Sequence, residues 1–563
     1  MKAGGGGGAK DGSDGYHPMT PTNNSRTPFI WGMLGAGNPG GGKTSNRPMF
    51  IPRFMICLLL SISLIYFLYT VNLLLSSSLT HRQLPCSTST TTSSAVADPV
   101  LHLSSSNLSV HTTPSATNTT TTSSSSSRIA ARAAAATGLQ HVVFGIAASA
   151  SLWDRRKDYI KLWWRPRQMR GVVWLDKPVK EFSNSASAAG LPALKLSGDT
   201  ARFPYTHRQG SRSAIRISRV VSETYRLGLN NVRWFVMGDD DTVFVPDNLV
   251  RVLSQFDHRQ PYYIGSVSES HLQNIYFSYA MAYGGGGFAI SRPLAAALAR
   301  VQDRCLHRYP ALYGSDDRIQ ACMAELGVPL TRHPGFHQFD VYGDLLGLLA
   351  AHPVAPLVSL HHLDVVQPVF PNAPSRAAAL RRIFDGPVRL DSAAVFQQSI
   401  CYDAGHLWTV SISWGFAVQV VRGVMSPREM EMPARTFLNW YRRADYTAYP
   451  FNTRPVARNP CQRPFVYYLS SSHYDAARRT TVTVYERHRE VHPACRWKMD
   501  HPPAFVDRIV VYKKPDPSLW DRAPRRNCCS VASSPNDGKK GNRTMTVDVG
   551  VCREGEFSET QRL

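Results

Sequence analysis

The chain has 563 residues, with 63 Lys and Arg against 40 Asp and Glu, a formal net charge of +23. Hydrophobic residues make up 43% and charged ones 18%, which excludes a wholly disordered chain, and ten cysteines are too few for a disulfide-dense miniature scaffold. The basic excess comes without an arginine-rich helix, a zinc-ligand spacing or an aromatic RNA-binding motif. It therefore points away from nucleic acid and reads as a bias toward anionic partners or as plain solubility.

Residues 1–53 are rich in Gly, Pro, Asn, Ser and Thr and show no apolar periodicity, the composition of a disordered tail. An uncharged apolar run follows at 54–75. At ~1.5 Å per residue it predicts a helix long enough for a ~30 Å hydrocarbon core. Lys2, Lys10, Arg26, Lys43, Arg47 and Arg53 precede the run, and only Arg82 falls between it and Arg128. This asymmetry predicts a signal anchor with its N-terminus in the cytosol and the rest of the chain in the lumen.

Residues 76–127 hold 29 Ser or Thr in 52 positions, which predicts an extended stem over 76–138. Asn107, Asn118 and Asn542 begin glycosylation sequons. Nine cysteines follow the apolar run, and disulfides are expected in an oxidising lumen. An odd number leaves at least one without an intrachain partner. Cys86 in the stem is the candidate, and a disulfide-linked dimer through the stem is the corresponding expectation.

From 139 the pattern alternates. A β-branched strand begins at His141, a helix is predicted over 155–164, and a second strand runs from Gly171 to Asp176. Another helix covers 213–227 and stops at Gly228. A strand then leads from Val232 into Gly238-Asp239-Asp240-Asp241. This rhythm predicts an α/β layer with a largely parallel sheet over 139–384, with ligands bound beyond the carboxyl ends of its strands. Short strand signals near 407–414, 465–469, 480–485, 509–512 and 545–549 predict a β-rich extension over 385–563.

Three segments in the α/β part carry candidate chemistry. Asp239 and Asp241 follow a buried strand and can converge on one hard cation, although a solvated acidic turn has the same composition. Gly284–Gly287 allow a close backbone approach, which suits either a ligand or a turn. In Gly314-Ser315-Asp316-Asp317, Ser315 reads as an N-cap. The two acids stabilise the helix start or hold a carboxylate ready to take a proton. His337 and the pair His361-His362 are the nitrogen candidates for a metal.

Together Trp234–Asp241, Tyr262–Gly265, Ala282–Ser291, Ser315–Asp317 and Gly335–Gln338 resemble, in order and spacing, the fringe family of inverting β-1,3-type glycosyltransferases, and most closely its plant fringe-related branch. The resemblance implies a GT-A fold with a mixed, largely parallel sheet. It further implies a UDP-sugar donor, Mn2+ or Mg2+, a glycan or glycoprotein acceptor, and residence in the Golgi membrane as a single-pass type II protein. It places the metal on Asp239, Asp241 and His361, with His337 as the alternative ligand. Asp317 becomes the base. Asp176, Asp239, Asp240, Gly285 and Gly286 fall at the donor. A membrane-anchored, non-catalytic carbohydrate-binding or scaffold protein on a degenerate transferase fold is the competing expectation.

Overall fold

The computed structural model describes residues 60–71, 137–182, 190–441, 443–445, 447–490, 493–535 and 543–556. The predicted tail, most of the stem, Cys86, Asn107, Asn118 and Asn542 lie outside them. Of the expected span at 54–75, residues 60–71 are described and are helical, and the rest lies outside the described residues. Among the described residues no helix is long and apolar enough to cross a membrane.

The α/β part is built on a seven-stranded sheet. Its first strands are β1 (Val142–Ala147), β2 (Arg170–Leu175), β3 (Ala193–Leu196) and β4 (Trp234–Asp239). A short β5 (Val243–Phe244) leaves this sheet, which resumes with β6 (Tyr263–Gly265), β7 (Phe288–Ser291) and β8 (Leu330–Arg332). The order is β3-β2-β1-β4-β7-β6-β8. All pairs are parallel except β4 with β7 and β6 with β7, which gives the expected mixed, largely parallel sheet.

All six residues of β1 are buried, as a strand covered on both faces requires. On one face Phe144 meets Trp163, Trp164 and Phe244 at ring-centroid distances of 5.2, 6.2 and 5.6 Å. On the other, helix Ser213–Tyr225 contributes Val220 and Val221. Burying each such side chain stabilises the fold by roughly 1.5–3 kcal/mol. The register places Ala147 beside both Trp174 and Asp239, so the carboxyl ends of β2, β1 and β4 form one edge.

Two small pairings bring later segments to that edge. β9 (Val341–Gly343) is followed by β10 (Ser359–Leu360), which pairs antiparallel with β5. His361 therefore emerges opposite Asp241.

The extension forms an eight-stranded sheet of β11 (Gln398–Asp403), β12 (Trp408–Ser413) and β13 (Ala417–Arg422), with β15 to β19 to follow. Between them β14 (Phe437–Asn439) leaves the sheet and pairs with β9 in the α/β part. The rest are β15 (Phe465–Asp475), β16 (Thr480–Arg487), β17 (Arg508–Lys513), β18 (Cys528–Ser533) and β19 (Thr544–Gly550), in the order β11-β12-β13-β15-β16-β17-β19-β18. The edge strands β11 and β18 are joined by the disulfide Cys401–Cys529, so the sheet curls on itself. One continuous apolar core runs from β1 through β12 and β15 to β19. The expected boundary at 384 thus separates two sheets but not two cores.

The remaining described cysteines pair as Cys305–Cys322, Cys461–Cys495 and Cys528–Cys552. All four bridges are within the chain, which accounts for every cysteine after Cys86.

Candidate active site

Asp239 ends β4, and the chain turns at once: the Thr242 N–H donates to Asp239 O at 3.1 Å, and Thr242 Oγ1 accepts the Asp239 N–H at 2.8 Å. Two residues apart at a strand end, Asp239 and Asp241 share a side, and the turn holds them there. Across from them, His361 Nε2 lies 3.2 Å from Asp241 Oδ1 and 3.9 Å from Asp239 Oδ2. One ligand atom from each of the three lies within 4.8 Å of the others. Asp241 and His361 are buried, whereas the Asp239 side chain is 20% exposed on the open side.

Arg156 approaches from helix Trp153–Trp163. Its Nη1 is 2.9 Å from Asp240, its Nη2 3.1 Å from Asp241 and its Nε 3.3 Å from Asp364. Among the described residues neither Asp241 oxygen has an aligned hydrogen bond, although Arg156 and His361 lie at ion-pair distance. The charges are near but not aligned as donors, so both oxygens keep lone pairs for another partner. Three carboxylates around one arginine also leave negative charge that a divalent cation would balance, and the oxygen-rich, single-imidazole donor set suits Mn2+ or Mg2+.

The electrostatics follow from burial. Asp239 is raised well above the usual carboxylate range by desolvation, and the charges of Asp241, Asp316 and Asp240 add to it. Burial raises Asp240 to about 6 against the pull of Arg156. Asp241 goes the other way: desolvation opposes, but His361 and Arg156 outweigh it and hold the carboxylate ionised. For His361, burial is outweighed by Asp241, and its basicity rises.

The glycine run threads this cluster and is buried throughout. A Cβ on Gly285 would sit 2.1 Å from the His361 ring, and one on Gly284 2.6 Å from Asp316 Oδ1. Gly286 donates its N–H to Gln338 Oε1 at 2.6 Å. Only glycine passes between these side chains. The close neighbour of Gly285 is thus the imidazole of His361.

Ser315 precedes helix Asp316–Glu325 as expected, but without a side-chain capping bond; its hydroxyl bonds Asp316 Oδ1 at 3.0 Å. Asp317 instead accepts the N–H groups of Tyr313 and Gly314 at 2.8 and 3.0 Å. Burial raises Asp317 to about 6, opposed by those two bonds. Asp316 is 3% exposed and packs against Gly284, while the Asp317 side chain is 13% exposed.

His337 is elsewhere. Its Nδ1 is 2.9 Å from Glu269 and its Nε2 3.0 Å from His352 Nε2, so the structure does not bring it to the aspartates. Asp176 follows β2 and accepts the Ala150 N–H at 2.7 Å, beside the Ser149 N–H that bonds Asp240 at 3.3 Å. It lies on the same sheet edge as the triad. Arg156 and the Asp240 contact of Ser149 were not foreseen. One arginine in the basic stretch Arg155–Lys157 of a helix gives no sign of partners 84 residues later.

Residues 199–346 match the family model described as Fringe-like, and residues 273–529 match one described as a protein of unknown function, DUF604. The Fringe-like match covers about a quarter of the chain and falls on the segments that carry the resemblance in the sequence. It is similar to a beta-1,3-glucosyltransferase of Mus musculus, 34% identical over 24% of this chain and 27% of the relative. The Homo sapiens protein of the same name is 33% identical over 19% and 20%. A glycoprotein-N-acetylgalactosamine 3-beta-galactosyltransferase 1 of Xenopus laevis is 34% identical over 13% and 19%. The chain thus spans about a quarter or less of each relative's length. Among solved structures, mouse xyloside xylosyltransferase 1 matches at 10% identity, covering 36% of this chain and 87% of that one, with a TM-score of 0.23.

Proposed function

We propose that the protein is a metal-dependent, inverting glycosyltransferase that moves a sugar from a UDP-sugar to a glycan or glycoprotein hydroxyl. The convergence of Asp239, Asp241 and His361 within 4.8 Å at the carboxyl end of a buried strand carries this reading. Those three residues would hold Mn2+ or Mg2+, which when bound supplies charge neutralisation for a diphosphate leaving group. Arg156 fixes Asp240 and Asp241, so the acid cluster is preorganised before any ligand arrives. Asp317 takes the acceptor proton: it is the more open acid of its pair, and its raised basicity suits a general base near neutral pH. Asp316, buried against Gly284, keeps the glycine run in place.

The test is hydrolysis of a panel of UDP-sugars by the full chain in detergent, with and without Mn2+. One donor should be consumed only with metal, and Asp241→Asn should weaken UDP binding by ~100-fold, about 2.7 kcal/mol. Metal-independent UDP binding unchanged by Asp241→Asn would sink the reading and favour a non-catalytic carbohydrate-binding role. The apolar run at 54–75 and its charge asymmetry support a type II Golgi topology. Protease protection of intact microsomes should then shield everything after residue 76, and digestion of the C-terminus without detergent would refute it.

A further inference from the structure

The candidate metal histidine sits at one end of a row of four rings, one of which comes from the extension. His361 and His362 have ring centroids 4.0 Å apart. His362 stacks on Trp440 at 5.1 Å and 8°, and Trp440 stacks on Tyr342 at 4.7 Å and 9°. Trp440 directly follows β14, whose residue Leu438 pairs with Tyr342 on β9. Trp440 is 3% exposed and among the described residues its Nε1 has no hydrogen-bond partner, so it is held by its faces.

His362 needs such a hold. Its φ is +54°, a left-handed conformation that L residues rarely adopt. This reversal after His361 is what directs the two rings differently. One goes to Asp241, and the other, through Nδ1, lies 2.9 Å from the buried Asp340. Asp340 Oδ2 in turn accepts the Ser268 hydroxyl at 2.6 Å. His362 is thus flanked at its edge by Asp340 of the α/β part, without an aligned hydrogen bond among the described residues, and stacked on its face by the extension.

We propose that Trp440 is a positioning residue for the metal site, and that the extension completes that site by pressing His362 into the conformation that aims His361 at the aspartates. This rests on the metal reading above. It makes the β9–β14 pairing a functional joint between the two sheets. Partners that orient a metal-ligating histidine are commonly worth 10–100-fold in metal affinity.

The experiment titrates Mn2+ into the full chain and reads free Mn2+ by its electron paramagnetic resonance signal, with the metal-free melting temperature measured in parallel. Trp440→Ala should weaken Mn2+ binding by about 10–100-fold. His362→Asn keeps a residue tolerant of the left-handed region but removes the stacked ring. It should do the same, and the double variant should add little further. The control is Trp520→Ala, which removes another buried indole of the extension, one that donates to Ala393 O at 2.9 Å and is absent from the ring row. It should lower the melting temperature and leave Mn2+ affinity within twofold. Wild-type affinity in both Trp440→Ala and His362→Asn would overturn the proposal, as would equal weakening by Trp520→Ala. If Trp440→Ala fails to fold, His362→Asn carries the test alone. A wild-type chain that binds no Mn2+ would instead bring down the metal reading itself.

Discussion

The two sheets treat buried charge in opposite ways. In the extension, Lys513 and Asp391 are both 2% exposed and meet at 2.6 Å, and the same Asp391 oxygen also accepts the Asp516 N–H. In the α/β part, Asp241 is just as buried, yet among the described residues it has the ion-pair contacts of Arg156 and His361 without an aligned hydrogen bond, and Asp239 is driven toward its neutral form by burial and then by its acidic neighbours. A buried pair that is complete holds a fold in register; a buried acid cluster that is incomplete is poised for a further cation. Cross-linking divides the same way. Three of the four described disulfides lie in the extension and one in the α/β part. Chemistry is concentrated on one sheet, and closure on the other.

That contrast can be broken most sharply at Asp317. Asp317→Asn should cut turnover by ~10²–10⁴ while leaving UDP and metal binding unchanged, because a base acts on the acceptor. Asp316→Asn should be much milder in turnover. Its buried contact with Gly284 is structural, so its effect should appear in stability. A reversed pattern, measured by steady-state kinetics, would move the base to Asp316.

The closure side is tested by replacing Cys401 and Cys529 with serine. Their bridge spans 128 residues and ties the two edges of the extension sheet, so its loss should cost about 2–5 kcal/mol by denaturant titration. Trp440 depends on the extension, so metal affinity should fall only near the unfolding transition. Loss of Mn2+ binding well below that transition would blur the division between the sheets.

The smallest effect is a pH profile. Asp317 must be ionised to act and is raised to about 6 in the folded chain, so kcat/KM should be flat above that pH and fall tenfold per unit below it. A limb near the ordinary carboxylate value would mean that the base is less buried than Asp317.

The parts of the site legible in the sequence were those written locally. Asp239 and Asp241 directly follow the apolar strand that buries them, and His361 follows a strand signal at 358–360. The helix over 213–227 and its stop at Gly228, with φ +67°, were readable for the same reason. What escaped depends on long-range pairing. Arg156 looks like any exposed helix arginine until β10 and β4 bring acids to it. Trp440 lies in an irregular stretch, and only the β9–β14 pairing carries it to His362. Strands β11 and β13 were missed because β11 is polar at both ends and β13 carries Gln419 among its valines, so neither makes a clean apolar run. His337 was plausible by composition, but Glu269 and His352 had already claimed both its nitrogens.

The glycine run has a consequence for how this sequence can change over time. The space a Cβ would need at Gly285 is the space the His361 imidazole fills, 2.1 Å away. Neither position can be altered freely while the other stays. An alanine at 285 displaces the ring, whereas a small residue at 361 releases the glycine from its constraint. The two positions, 76 residues apart by their numbering, should therefore drift together across descendants of this chain, and a lineage that replaces His361 with a small residue should be the one in which Gly285 is first lost.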